Sequence, residues 1–348
     1  VSAQQQTERV VGGAGSAGGG GESTATVLVA LGANLAVAVA KGFAAVVTGS
    51  ASMAAETAHS FADTVNQVLL LTALRGSRRP ADRTHPFGYG RVRYFWALLA
   101  AVSIFVTGAL YSAYEGVTAL LSEEHEVVSP VVNYVVLGVA FLLEGFSLLK
   151  GYRQTRTEAA EHDQTLRAFL RTSDDPTATT VVFEDSAALI GLVLAAAGTA
   201  VHQVTGQSWG DGIASLLIAA LLAAVALRLG RANKRLLTDV QADPRLVRAV
   251  LVHLGDEPEV DAVVDLLTLT LGTDQVLVCA RLDLDDDLSG AEVERAMVRI
   301  AAGLEETFLE VVEVFLEPVP RQDEVVRERV RTRYGDRLAQ YMVDEAGS

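Results

Sequence analysis

The chain has 348 residues, half of them hydrophobic and a fifth charged, and the apolar residues gather before about residue 232 while the charges gather after it. That distribution excludes a purely soluble enzyme, because windows of about 18 or more mostly apolar residues mark membrane-spanning helices. The net charge of −15 excludes general nucleic-acid binding, which needs a basic face, and a single cysteine, Cys279, excludes a disulfide framework or a Cys-rich zinc module.

Residues 1–22 hold GGAGSAGGGG and little that is apolar, the composition of a flexible tail without the basic and apolar regions of a signal peptide. Six apolar windows follow, at roughly 24–48, 52–74, 95–121, 131–149, 180–202 and 209–230. Each is long enough to cross about 30 Å of hydrocarbon at about 1.5 Å per residue. The loop after the second window carries Arg75, Arg78, Arg79, Arg83, Arg91 and Arg93; Lys150, Arg153, Arg156, Arg167 and Arg171 follow the fourth, and Arg228, Arg231, Lys234 and Arg235 the sixth. The other three loops have no Lys or Arg. Because positive residues stay inside, six spans place both termini in the cytoplasm. Lys occurs only at 41, 150 and 234, an Arg bias that points to a GC-rich bacterial genome and hence to a bacterial cytoplasmic membrane.

After Pro244 the pattern becomes that of a soluble domain. Leu246, Val247, Val250, Leu251 and Leu254 recur at helical spacing, whereas Leu267–Leu271 and Val276–Leu284 alternate as half-buried strands do, with a turn at Gly272-Thr273-Asp274 between them. Ser289 and Glu292 form a capping box before a helix with Val293, Met297, Ile300 and Leu304 inward, and Val311–Leu316 is a last strand. The order helix, strand, strand, helix, strand predicts a small α+β sandwich. The chain thus divides into a tail (1–22), a six-helix membrane domain (23–235), a soluble domain (240–320) and a charged, exposed helical tail (321–348).

Ionisable side chains at membrane depth cost about 2.5–3.5 kcal/mol each on insertion scales and mark pathways. Glu56, His59 and Asp63 share one face of the second window at i, i+3 and i+7, with Gln67 continuing the stripe. His59 and Asp63, four apart, can converge an imidazole nitrogen and a carboxylate on one ion. Glu144 in the fourth window is either a ligand or the counter-ion of Lys41 across the bundle. Of the adjacent Glu184 and Asp185 in the fifth, one faces the site and the other a neighbouring helix; Asp211 in the sixth reads as a cap or structural contact.

These residues sit in a frame that resembles the cation diffusion facilitator family. The likeness is carried by Asn34, Lys41, Gly49-Ser50 and the stretch His59 to Gln67, by His85 to Arg91, by Asp211 to Ser215, and by the α+β tail. Ser60 to Gln67, Glu144-Gly145, Asp175-Pro176 and Phe183 to Ala188 are similar to its zinc transporter 9-like branch. The resemblance implies a homodimer of six-helix protomers in the lipid bilayer, a transport site between the second and fifth spans, and a cytoplasmic ferredoxin-like domain that helps dimerise. It implies His59, Asp63 and Asp185 as ligands, with Val181 where many relatives place His or Asp, so that Glu144 or Glu184 is expected to complete the set. In the basic loop Asp82 and His85 match a second, weaker metal site, but Tyr89 stands where a second His is frequent. The soluble domain offers only His253 and Cys279, in different elements, and an acidic turn at Asp283, Asp285, Asp286 and Asp287.

The expected activity is export of a divalent cation in exchange for protons, with no permanently bound cofactor and no enzymatic turnover. One nitrogen and two or three carboxylates suit Zn²⁺, with Mn²⁺, Fe²⁺ and Co²⁺ as alternatives. Two other readings stay open, a non-transporting membrane scaffold with a degraded site and an intramembrane metal-dependent enzyme.

Overall fold

The computed structural model describes residues 24–121, 130–161, 165–166 and 176–334. The expected tail over residues 1–22, the acidic loop after Leu121, Asp175 and residues 335–348 lie outside the described residues, as does the side chain of Val181.

Six long helices form a bundle: α1 (Thr24–Thr48), α2 (Ala51–Ser77), α3 (Val92–Leu121), α4 (Pro130–Glu161), α5 (Pro176–Thr205) and α6 (Trp209–Leu237). Their turns are written locally. Gly49, at φ 67°, ends α1 with its N–H donating to Ala45 O at 2.8 Å, and Ser50 then caps α2 by accepting from Met53 N at 3.2 Å. Gly206, at φ 69°, ends α5 in the same way, donating to His202 O at 2.8 Å. The helices outrun the hydropathy windows, most of all α4, which continues to Glu161. Hydropathy reads the depth of hydrocarbon, whereas the helix persists into its polar, Arg-rich end.

Among the described residues, four helical stretches are long and apolar enough to cross a membrane by length and composition: Val92–Leu121, Val131–Thr157, Val182–Thr205 and Trp209–Leu237. Helix α2 falls outside the set because its polar stripe lowers its average hydropathy. Met53, Ala55 and Ala62 of α2 are nonetheless buried, packed in one core with Ile104, Leu192, Ile218 and Leu222 of α3, α5 and α6. Helices α1 and α4 join this core through Ala44, Leu137 and Ala140, and on their other sides turn bulky apolar groups outward: Val46 is 86% exposed, Leu142 74% and Phe146 71%. In a membrane protein such surface meets lipid rather than water.

Helix α3 is not uniform. Between Val92–Ser103 and Tyr111–Leu121 it widens into a π-helical segment, Ile104–Leu110. Within it Gly108 meets α6, where a Cβ would stand 3.1 Å from Leu222 Cδ1. The two helices approach again at Gly116 and Gly212: a Cβ on Gly116 would lie 2.9 Å from Gly212 O, and one on Gly212 would lie 3.0 Å from Gly116 O.

The soluble domain follows the expected order: α7 (Pro244–Gly255), β1 (Val260–Gly272), β2 (Gln275–Leu284), α8 (Gly290–Thr307), β3 (Val311–Pro318) and α9 (Glu324–Tyr334). The sheet has β2 in the middle, antiparallel to β1 and parallel to β3. Val250 and Leu254 of α7 and Ile300 and Leu304 of α8 are buried against Leu266, Val278 and Leu282. The Ser289–Glu292 capping box is present, with Ser289 N donating to Glu292 Oε2 at 2.8 Å. The expectation of an exposed tail helix needs correcting. In α9 Val326 and Val330 are buried, Tyr334 Oη donates to Leu266 O at 2.8 Å, and Arg333 Nη1 pairs at 2.9 Å with Asp265, itself buried and also paired with Arg281 at 2.9 Å. The i, i+4 spacing of Val326 and Val330 gives this charged helix an apolar stripe that docks it. Against the bundle, Arg91 pairs with Asp239, Arg93 bonds Thr273, and the backbones of Gly90 and Gly272 meet so closely that a Cβ on Gly272 would lie 3.0 Å from Gly90 Cα.

The contact of α3 with α6 requires the absence of side chains at both glycines. Gly116→Val should therefore cost about 1–3 kcal/mol by overpacking, read as a lower thermal midpoint of the detergent-solubilised protein, whereas Gly32→Val, where a Cβ would meet nothing within 4 Å, should leave it unchanged.

Candidate functional site

The site is built on α2. Glu56, His59, Asp63 and Asn66 recur at three- and four-residue steps, so one helical face carries all four into the bundle. Glu56, His59 and Asn66 are essentially inaccessible, and Asp63 is half-buried. Glu56 reaches toward α5 because residue 191 is glycine; a Cβ there would collide with Glu56 Oε1.

Lys41 of α1 is fully buried and makes three hydrogen bonds. Its Nζ donates to Glu56 Oε2 at 3.0 Å, to Ser60 Oγ at 2.8 Å and to Glu144 Oε1 of α4 at 2.9 Å. Of the two roles left open for Glu144, its Oε1 takes the one at Lys41, while its Oε2 has no hydrogen-bond partner.

His59 Nε2 stands 3.6 Å from Asp63 Oδ2, so the structure brings this i, i+4 pair together. Asp185 comes from α5 and is half-buried; its Oδ2 accepts from Ser147 Oγ of α4 at 2.8 Å, and His59, Asp63 and Glu144 lie within its electrostatic range. Its neighbour Glu184 points to α2 as well, where Asn66 Nδ2 lies 2.7 and 2.6 Å from its two oxygens. Glu184 thus engages α2 and Asp185 engages α4, one toward the polar stripe and the other toward a neighbouring helix. It is Asn66 rather than Gln67 that continues the stripe. Sequence reasoning also missed Ser147 and Gly191. The signal for Ser147 was its i+3 spacing from Glu144; nothing in the sequence alone singled out Gly191.

The distribution of unpartnered atoms is informative. Both ring nitrogens of His59, Asp63 Oδ1, Glu56 Oε1, Asn66 Oδ1 and Glu144 Oε2 are buried without a hydrogen-bond partner. Unpaired buried polar atoms are costly, and a group of them on facing helices is a place for a cation. Among the described residues no three His, Cys, Asp or Glu side chains are gathered as a ready-made metal centre. The acidic groups are instead parked on Lys41, Ser147 and Asn66, and only His59 and Asp63 face one another directly.

Asp211 is structural, as expected: it accepts from Ser50 Oγ at 3.1 Å and Ser52 N at 3.2 Å, as well as from Ser52 Oγ, joining the start of α6 to that of α2. In the basic loop Asp82 Oδ1 accepts from Thr84 N and His85 N at 2.8 Å each, and its Oδ2 accepts from Tyr89 Oη at 2.8 Å. The His85 amide first, and then the Tyr89 hydroxyl, hold the Asp82 carboxyl below the usual carboxylate range. His85 Nδ1 lies 3.7 Å from Asp82 and its ring stacks against Tyr89, with centroids 4.1 Å apart. Asp82 thus works as the hub of a turn. In the soluble domain His253 lies edge-on to Phe308 while Cys279 sits on β2. The acidic turn is tied by Asp287 N donating to Asp285 Oδ1 at 2.9 Å and by an Arg321–Asp283 pair at 3.3 Å.

A helical bundle with a buried His–carboxylate pair, followed by a small α/β sheet domain, defines a class of membrane transporter. Residues 27–238 match the cation efflux transmembrane domain, and the chain belongs to the cation efflux family, whose members are transporters rather than enzymes. It is 34% identical over 238 residues to metal tolerance protein C4 of Arabidopsis thaliana, covering 67% of this chain and 51% of that one. It is also 34% identical over 240 residues to the mitochondrial proton-coupled zinc antiporter SLC30A9 of Xenopus laevis, covering 69% and 43%. To the cation-efflux pump FieF of Shewanella oneidensis it is 30% identical over 247 residues, covering 70% and 75%. The chain spans about half the length of the first two relatives. The family and the branch read from the motifs are both borne out.

With Asp82 committed to backbone and Tyr89, its loss should open the loop rather than a metal site. Asp82→Ala should speed tryptic cleavage after Arg78 and Arg83, and added Zn²⁺ should not protect the native loop.

Proposed function

We propose that this chain carries a divalent metal cation through its bundle in exchange for protons, holding the ion on His59, Asp63 and Asp185 with Glu184 completing the set. The observation that carries the reading is the buried His59–Asp63 pair with both imidazole nitrogens and Asp63 Oδ1 unpartnered. A neutral imidazole binds a cation through a lone pair and a carboxylate through its charge, and both lose that capacity when protonated. Metal and protons therefore compete for the same atoms, which is sufficient for exchange. Asp185 and Glu184 join by releasing Ser147 and Asn66, so α5 moves against α2 and α4 as the ion enters.

Glu184 is preferred to Glu144 because Asn66, which holds it, sits one turn beyond Asp63, whereas Glu144 neutralises Lys41. One nitrogen and three carboxylates suit Zn²⁺, the ion named in the SLC30A9 relatives, and also Mn²⁺, Fe²⁺ or Co²⁺. The positive residues at one set of loops support six spans with both termini and the soluble domain in the cytoplasm of a bacterium, and export as the direction. The protein works as a homodimer in this reading, with the soluble domain holding the protomers together.

Proteoliposomes with an imposed pH gradient test the proposal across a panel of metals. His59→Ala and Asp63→Ala should abolish metal-driven proton movement while the protein stays folded, and Glu184→Gln should weaken metal binding more than Glu144→Gln. Metal affinity should fall as the pH is lowered. Full transport by Asp63→Ala, or no metal flux by the native protein, would sink the assignment, the latter in favour of a scaffold.

A further inference from the structure

Lys41 brings a cation to the depth of the candidate ligands, and its surroundings differ from those of an ordinary ion pair. All three N–H bonds of the ammonium are used, on Glu56 Oε2, Ser60 Oγ and Glu144 Oε1, at 2.8–3.0 Å. Two carboxylates share one ammonium, so with all three groups ionised the cluster carries a surplus negative charge. One oxygen of each carboxylate, Glu56 Oε1 and Glu144 Oε2, is buried with no partner. A pair built to neutralise itself would match one ammonium to one carboxylate. The arrangement here is that of a cation-binding site: carboxylates from α2 and α4 and a hydroxyl from α2 converge on one positive centre, which α1 supplies on a tether.

We infer that Lys41 is a tethered cation, seated in a dicarboxylate site made by Glu56 and Glu144, that limits the bundle to one divalent ion per protomer. The inference rests on the transport reading above. Glu56 lies one turn before His59 and Ser60 directly follows it, so the ammonium is anchored on both sides of His59 along α2. It acts in two ways. It occupies oxygen ligands that would otherwise take a second, hard divalent cation such as Mn²⁺. It also sets a fixed positive charge beside the first ion, which weakens the hold on that ion and favours release. The carboxylates at this position are thus ligands for a side chain of the protein itself.

The test is the number of ions bound per protomer, by equilibrium dialysis of the full-length protein in detergent against Mn²⁺ and Zn²⁺. The native protein is expected to bind one ion and Lys41→Met two, the second with a preference for Mn²⁺. Lys41→Arg, which keeps the charge, should remain at one. Because Lys41→Met leaves two carboxylates facing each other without their counter-ion, the double variant Lys41→Met/Glu144→Gln is measured beside it. That variant has the same net charge as the native cluster and a broken dicarboxylate, and it should bind one ion. A folded Lys41→Met protein that binds only one ion overturns the inference, as does a folded double variant that binds two or none. A native protein that binds no divalent ion would overturn the transport reading and this inference together, so the two failures are distinguishable.

Discussion

A charged side chain at membrane depth must find its partners on neighbouring helices, and the packing of this bundle follows from that constraint. Helix α2 carries the charges, and every helix that touches its polar face brings a matching group: Lys41 from α1, Glu144 from α4, and Glu184 and Asp185 from α5, opposite Asn66. Helix α6 supplies Asp211 only at its first turn, where it joins Ser50 and Ser52 at the start of α2. Apolar packing with α3 and α6 covers the remaining sides of α2. In lipid there is little hydrophobic drive to bring helices together, so small residues and interhelical hydrogen bonds carry more of the association. Both are present here, the bonds to Lys41, Asn66 and Asp211 and the close approach of Gly116 to Gly212.

The same arrangement makes the bundle suited to change. The two acidic groups of α5 are held by neutral partners, a hydroxyl for Asp185 and an amide for Glu184. The Lys41 cluster is different, since its three bonds tie α1, α2 and α4 into one unit. In the proposed mechanism a divalent ion at His59 and Asp63 would meet the Lys41 cluster on one side and the neutral partners of α5 on the other. The soluble domain is linked to the opposite side of the molecule's sequence, through Arg91, Arg93 and Gly90 at the start of α3.

Much of this was legible in the residues. The six apolar windows became six helices, and the alternation at Val276–Leu284 became β2, because both patterns follow from burying one medium's worth of surface. The His59–Asp63 pair was legible because a spacing of four fixes geometry within one helix. What crosses between helices was not. Glu144 had two roles open because spacing says nothing about which neighbour a side chain meets, and the structure gives it to Lys41. Asn66 and Gln67 are adjacent polar residues, and only the position of α5 chooses between them. The tail helix looked exposed because its charges outnumber its apolar residues, yet Val326 and Val330 suffice to dock it.

The π-helical segment Ile104–Leu110 has a consequence for how the sequence can vary. A ring closed five residues apart holds one residue more than an α-helical turn, so the segment stores an extra position between two regular halves of α3. Dropping one residue there would restore an ordinary turn and leave Gly116 facing Gly212 and Tyr94 in place. The same deletion elsewhere in a helix would swing everything beyond it by about 100° and 1.5 Å. Length changes within the membrane domain are therefore tolerable at this turn, and homologous chains of different length can share one bundle by gaining or losing it.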